Sequence, residues 1–180
     1  MRLKMLLTGA SFALASVAAQ AQTYAEVGVL AGGYEEDVFG MMVKSSPKAL
    51  RAIIGREISE NVAIEGLLGL GVGGGGLKVD GVKVPDSDLK FKSILGVYLK
   101  GKVNVTNGLD VFARAGLSRV EATVTVGSAK ASGRDSDFSY GLGVSYALNK
   151  VTSLTFDYMN FMDKSGGKMT GFTMGVGYKF

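Results

Sequence analysis

The chain has neither cysteine nor histidine among its 180 residues. Without thiols there is no disulfide, no thiolate metal site and no lipid anchor through cysteine. Without imidazole or thiol, the most common catalytic base and the thiol nucleophile are both missing. Proline occurs only twice, at Pro47 and Pro85, both in segments read as loops. Past the first twenty or so residues no apolar run approaches the eighteen or so needed for a membrane helix. Basic residues are nowhere interleaved with aromatics in a run, which removes nucleic acid as a partner.

The chain begins Met1-Arg2-Leu3-Lys4, continues apolar from Met5 to about Ala18, and reaches Ala19-Gln20-Ala21. A basic start, a short apolar middle and a small-x-small site describe a secretory signal peptide, and the stretch is too short to span about 30 Å of hydrocarbon. Cleavage is expected after Ala21, with Ala19 as the alternative, giving a signal peptide at 1–21 and one domain at 22–180. Losing Arg2 and Lys4 lowers the net charge from +4 to +2, so the basic pI is partly a property of the leader.

The rest is rich in glycine and alternates with a period of two, the side-chain period of a strand. Eight strands are expected, at 23–34, 48–59, 61–73, 89–104, 109–123, 136–148, 151–162 and 168–180. The sixth is clearest: Phe138, Tyr140, Leu142, Val144, Tyr146 and Leu148 face one way, and Ser139, Gly141, Gly143, Ser145 and Ala147 the other. The fourth reads Leu89, Phe91, Ser93, Leu95, Val97 and Leu99 against Lys90, Lys92, Ile94, Gly96, Tyr98 and Lys100. The first two alternate less cleanly. Connections near Glu60, at Asn107-Gly108 and at Asn149-Lys150 are short, and Asn-Gly is a strong hairpin signal. Those at about 35–47, 74–88, 124–135 and 163–167 are read as longer. Strict alternation of short and long connections, an even strand count and an apolar face on every strand describe an all-β, antiparallel, up-and-down transmembrane barrel. In lipid such a sheet must close, so the eighth strand is expected to pair with the first.

Three segments carry a family resemblance: Glu26-Val27-Gly28-Val29, Asn61-Val62-Ala63-Ile64-Glu65-Gly66 after a tight turn, and the final Gly175-Val176-Gly177-Tyr178-Lys179-Phe180. With the leader, they resemble the small eight-stranded outer-membrane β-barrel proteins, the group that includes the OmpA membrane domain, OmpX-like proteins and porin-family barrel domains. The resemblance implies a bacterial outer-membrane location with both termini periplasmic. It also implies a terminal aromatic signal, Phe180 with Tyr178, read by the barrel-assembly machinery after delivery by periplasmic chaperones. Unlike OmpA itself, the chain is expected to carry no peptidoglycan-binding domain after its eighth strand.

An eight-stranded barrel is just wide enough for side chains to fill. Matching faces across the short turns puts Lys100 near Arg114, with Glu65 and Asp157 at similar heights. Glu57, Arg51 and Lys92 extend this charge network toward the two ends. Unpaired buried charges are costly, so mutual neutralisation is expected. The network is either a structural plug or the gate of a narrow channel. Glu65 and Asp157 have carboxylates suited to acid–base work, but their neighbours are cations that suit ion pairing, so a non-enzymatic protein without cofactor or metal is expected. Gly71 to Gly76 lacks the Lys-Ser/Thr of a phosphate loop and precedes no helix. Glu35, Glu36 and Asp37, and Asp86 with Asp88, read as solvated carboxylates. Lys130, Arg134, Lys164 and Lys168, and Arg119 on the lipid-facing phase, suit lipopolysaccharide phosphates. The expected function is structural or surface-interacting, in a monomer contacting outer-membrane lipid and lipopolysaccharide. A low-conductance channel and an adhesin or immune-evasion factor are the alternatives.

Overall fold

The computed structural model describes residues 22–164 and 166–180. The leader expected at 1–21 lies outside the described residues. Eleven antiparallel strands follow: β1 Thr23–Val38, β2 Met41–Ser45, β3 Lys48–Ser59, β4 Val62–Gly73, β5 Lys78–Val79, β6 Val82–Lys83, β7 Ser87–Thr106, β8 Leu109–Val126, β9 Ala129–Ala147, β10 Thr152–Lys164 and β11 Gly167–Lys179. Eight of them are long, and each of these pairs with its neighbour in the chain order of long strands. The circle closes where β11 meets β1, from Tyr24↔Lys179 to Glu36↔Gly167. No edge is left among the eight, as an apolar solvent demands.

The outer wall shows why these sequences make these strands. Val27 and Val29 on β1, Leu50 and Ile54 on β3, Ile64 and Leu68 on β4, and Leu95 and Val97 on β7 all stand exposed. So do Leu117 on β8, Phe138 and Leu142 on β9, Phe156 and Tyr158 on β10, and Phe172 and Met174 on β11. An apolar belt of this extent is unfavourable in water and stabilising in hydrocarbon. It also fixes the phase of the first two strands: Val27 and Val29 point out, so Glu26 and Leu30 point in. On β3 Leu50 and Ile54 point out, so Arg51 and Ile53 point in.

Two expectations need correction. The first concerns the long connections. β1 continues to Val38 and turns at Phe39-Gly40, with φ of 55° and 83°, into β2. β8 and β9 overshoot the expected loop at 124–135 and turn within Gly127-Ser128, and β10 reaches β11 across two positions. These ends are long because the strands continue. Beyond the lipid the outer face needs no apolar residues, so the alternation that marks a strand disappears while backbone pairing goes on, as at Thr125↔Lys130. Of the segment 74–88, residues 74–86 do leave the wall, while Ser87 and Asp88 already pair with Val126 and Thr125 of β8. Its β5–β6 hairpin turns at Asp80-Gly81, with φ of 49° and 84°, and pairs with β2. Gly75 and Leu89 exchange backbone hydrogen bonds of 2.9 and 2.8 Å.

The second correction is the outer end of β7. The register slips between Phe91 and Ser93, a β-bulge at Lys92. One extra residue reverses every side chain beyond it. Leu89 and Phe91, expected to face lipid, are buried inside, and Lys90 and Lys92 are exposed outside. Lys92 therefore leaves the lumen network and pairs with Glu121 at 2.7 Å on the outer surface.

Candidate functional site: the filled lumen

The lumen holds two kinds of filling. On β1, β4, β7, β8 and β10 the charged residue lies nearer the end bearing the chain termini, and the apolar residue lies farther along. Glu26 precedes Leu30, Glu65 precedes Leu67, Arg114 precedes Val120, and Asp157 precedes Met159 and Phe161. On β7, which runs the other way, Ile94 comes before Lys100.

Arg114 is the hub of the charged part. Its Nε donates to Glu65 Oε2 at 2.5 Å, its Nη1 to Asp157 Oδ2 at 2.8 Å and its Nη2 to Glu26 Oε2 at 2.8 Å. Arg51 forks onto Asp157, with Nη1 to Oδ1 at 2.7 Å and Nη2 to Oδ2 at 2.5 Å. Lys100 Nζ reaches Glu26 at 3.1 Å and Glu65 at 3.3 Å. The Tyr24 hydroxyl donates to Glu65. Phe112 supplies a ring face to two of the cations, with Lys100 Nζ and Arg114 Cζ each 4.4 Å from its centroid. Three cations and three carboxylates thus cancel in a dry space. The side chains of Arg114, Glu65 and Asp157 are all 0 % exposed. Bidentate guanidinium–carboxylate geometry is what makes such burial tolerable, because each fixed donor meets a lone pair.

Glycine makes the room. Side chains at Gly55, Gly96 and Gly143 would collide with Tyr24, Tyr98 and Phe112 respectively.

Of the residues singled out from sequence, Glu65, Lys100, Arg114, Asp157 and Arg51 meet here. Arg51 was expected toward one end. It is instead rooted between Ala49 and Ile53 on the apolar side and reaches Asp157 with its long side chain. Glu57 stays at the terminus-bearing rim, paired with Lys102 at 2.5 Å and Lys179 at 3.8 Å. Sequence reasoning missed Glu26, Tyr24 and Phe112. The signal for Glu26 was available, since a carboxylate flanked by Ala25 and Val27 cannot face lipid. A cavity of about 40 Å³ between this rim and the network, lined by Glu57, Lys100, Lys102 and Asp110, has space for no more than a few waters.

Beyond the charges lies an apolar plug: Leu30, Ala49, Ile53, Leu67, Phe91, Ile94, Tyr98, Val120, Met159, Phe161 and Met169. Tyr98 spans the two parts and donates to Ser139 Oγ at 3.0 Å. Above the plug a cup of about 330 Å³ opens outward, with Tyr34, Leu89, Val120, Met162 and Met169 in its wall and Glu36, Arg134, Asp135 and Lys164 at its rim.

The loop carboxylates have local partners. Glu35 pairs with Lys44 at 2.9 Å, Asp37 Oδ1 accepts from the Gly40 N–H at 2.8 Å, and Glu36 accepts from the Tyr34 hydroxyl.

A closed antiparallel barrel with an apolar exterior and a neutralised, filled lumen is a small membrane-spanning β-barrel. The model of the outer membrane protein beta-barrel domain matches residues 5–180, and the chain belongs to that family. Solved structures agree in fold. Neisserial surface protein A is 15 % identical with a TM-score of 0.66, covering 89 % of this chain and 99 % of that one. The attachment invasion locus protein Ail of Yersinia pestis is 14 % identical with a TM-score of 0.64, at 89 % and 99 % coverage. The outer membrane protein OprG from Pseudomonas aeruginosa is 14 % identical with a TM-score of 0.62, at 89 % and 96 % coverage. No curated protein sequence matches the chain significantly.

Proposed function

We propose that this protein is a non-enzymatic, closed outer-membrane barrel that acts through its outward surfaces and passes nothing through its lumen. The carrying observation is the stacking of two unlike fillings in one narrow bore. A gate made of ion pairs opens by exchanging partners, but an apolar plug has no partners to exchange. Ions would have to cross both. The lumen carboxylates are engaged by three cations and a tyrosine, which suits structural pairing better than acid–base work. In this reading the termini are periplasmic, Phe180 and Tyr178 form the assembly signal, and the barrel spans as a monomer.

Planar-bilayer recording of the wild type, Arg114→Ala and Glu65→Ala is the test. All three are expected to leave the bilayer at its bare conductance, because the apolar plug survives each substitution. A steady current through the wild type, or one unlocked by Arg114→Ala, overturns the closed-barrel reading in favour of a gated channel. The adhesin alternative rests on the strands that overshoot the membrane. Deleting 35–47 or 74–88 and measuring host-cell or serum-factor binding tests it.

A further inference from the structure

The outward face of β7, β8 and β9 changes character within one pleat. Leu95, Leu117 and Phe138 are the last apolar residues of the belt on these strands. Arg119 comes next, in register with Leu95 and Ser136. One row farther, Glu121 lies between Ser93 and Arg134, beside the bulged Lys92. Then Thr123 lies between Lys90 and Ser132, and Lys130 opposes Thr125. Adjacent strands are about 4.8 Å apart, so three strands gather these side chains across roughly 10 Å.

The bulge is the decisive feature. Inward-facing Ile94 would, by plain alternation, put Lys92 and Lys90 inside. The extra residue turns both outward onto the face of Arg119 and Arg134. Two carboxylates share this face against five cations: Glu121, in the row above Arg119, and Asp88, in register with Thr125 in the row of Lys130. The hydrogen bond from Lys92 holds Glu121 below the usual carboxylate range, with Arg134 and Arg119 adding to the effect. Among the described residues, Lys90, Arg119, Lys130 and Arg134 make no salt bridge; elsewhere at this end Lys44, Lys164 and Lys168 pair with Glu35, Asp135 and Asp163, while Lys48, Lys78 and Lys83, outside the β7–β9 wall, make none. An unmatched positive band directly above a lipid-facing belt stands where anionic headgroups stand.

We propose that Lys90, Lys92, Arg119 and Arg134, with Lys130 beyond them, bind the phosphate groups of an outer-leaflet phosphoglycolipid against the outer wall of β7–β9. The site rests on the proposed orientation, termini periplasmic. Paired arginines suit the ligand because a guanidinium fork meets two phosphate oxygens at once. Bound lipid would tie the overshooting hairpin to its surroundings.

The test is native mass spectrometry of the full barrel with bisphosphoryl lipid A against the same lipid dephosphorylated. Wild type is expected to retain the phosphorylated form selectively. The triple variant Lys92→Gln/Arg119→Gln/Arg134→Gln should lose retention by on the order of a hundredfold, about fivefold per cation at low salt. Lys44→Gln/Lys164→Gln/Lys168→Gln removes the same charge elsewhere and should retain the lipid, as should Arg119→Lys/Arg134→Lys to within several-fold. Heat-modifiable gel mobility checks folding; if the triple variant does not fold, Arg119→Gln alone should show the fivefold loss. Equal retention of both lipids, undiminished retention by the variants that lack cluster cations, or equal loss in the control variant overturns the site. So does a loss confined to heparin-fragment binding, which would assign the cluster to a sulfated glycan. Orientation is read separately, by labelling a tag inserted at 127–128 on intact cells. An inaccessible tag sinks the orientation whatever the lipid assay gives.

Discussion

The two parts of the lumen fill the same bore by opposite means. Toward the termini, Arg114, Arg51, Lys100, Glu26, Glu65 and Asp157 fill it with charge that cancels. Toward the cup, Leu30, Phe91, Ile94, Met159 and Phe161 fill it with hydrocarbon. Apolar packing tolerates a lost methyl group by partial collapse, so its failures are graded. The charged layer is stable only when complete, because each deletion strands a partner in a dry space. The comparison shows that one narrow bore can be filled in two ways, once by shape and once by charge balance.

The sharpest way to break the comparison is Arg114→Ala. It leaves three carboxylates facing two cations and should cost about 3–5 kcal/mol or more in urea unfolding from micelles. A cost below about 1 kcal/mol would show that water already solvates the layer. Phe161→Ala in the apolar part should cost a similar or slightly smaller amount, about 3–4 kcal/mol, through the cavity it leaves. Coupling separates the two parts better than size. Arg51→Ala with Asp157→Ala should be strongly non-additive, by about 0.5–3 kcal/mol, because each deletion strands the other group, whereas Arg51→Ala with Phe91→Ala should be closer to additive. Tyr24→Phe removes one hydrogen bond to the charged Glu65 and should cost about 1.5–3 kcal/mol, in the same assay. The smallest effect belongs outside the lumen. The depressed pKa of Glu121 means that its contribution is present at neutral pH and lost as pH falls through that depressed value. The pair with Lys92 is solvent-screened, so Glu121→Gln should leave the unfolding midpoint unchanged within error while abolishing any such pH dependence.

Much of this was legible before the fold was known, and for stated reasons. Phe138 to Leu148 alternates so cleanly because one side must dissolve in lipid and the other must leave space, and both demands act at every second residue. The same logic reached Glu65, Lys100, Arg114 and Asp157, which have nowhere to go but inward. It failed at Lys92 because a bulge adds a residue without a local signature: Phe91-Lys92-Ser93 reads as plain alternation. It failed again at 124–135, where Lys130, Ser132 and Arg134 lie outside the lipid and no longer need an apolar exterior, although their backbones remain paired. The apolar plug was hidden for a third reason. Leu67 and Ile94 lie on the glycine-bearing face of their strands and Met159 on the face of Asp157, and only the closed circle shows that they converge.

By itself the sequence determined that the chain makes a closed sheet, which face of most strands meets lipid, and that a set of buried charges must neutralise one another. Those are consequences of a two-residue period and of the cost of exposing polar groups to hydrocarbon, and both act locally. Only the tertiary structure decided which carboxylate each guanidinium holds, that Arg51 crosses to Asp157, 106 positions away in the chain, and that Lys90 and Lys92 face outward. Those depend on the shear of the closed barrel and on one bulge in β7, and neither leaves a mark on the residues that it moves.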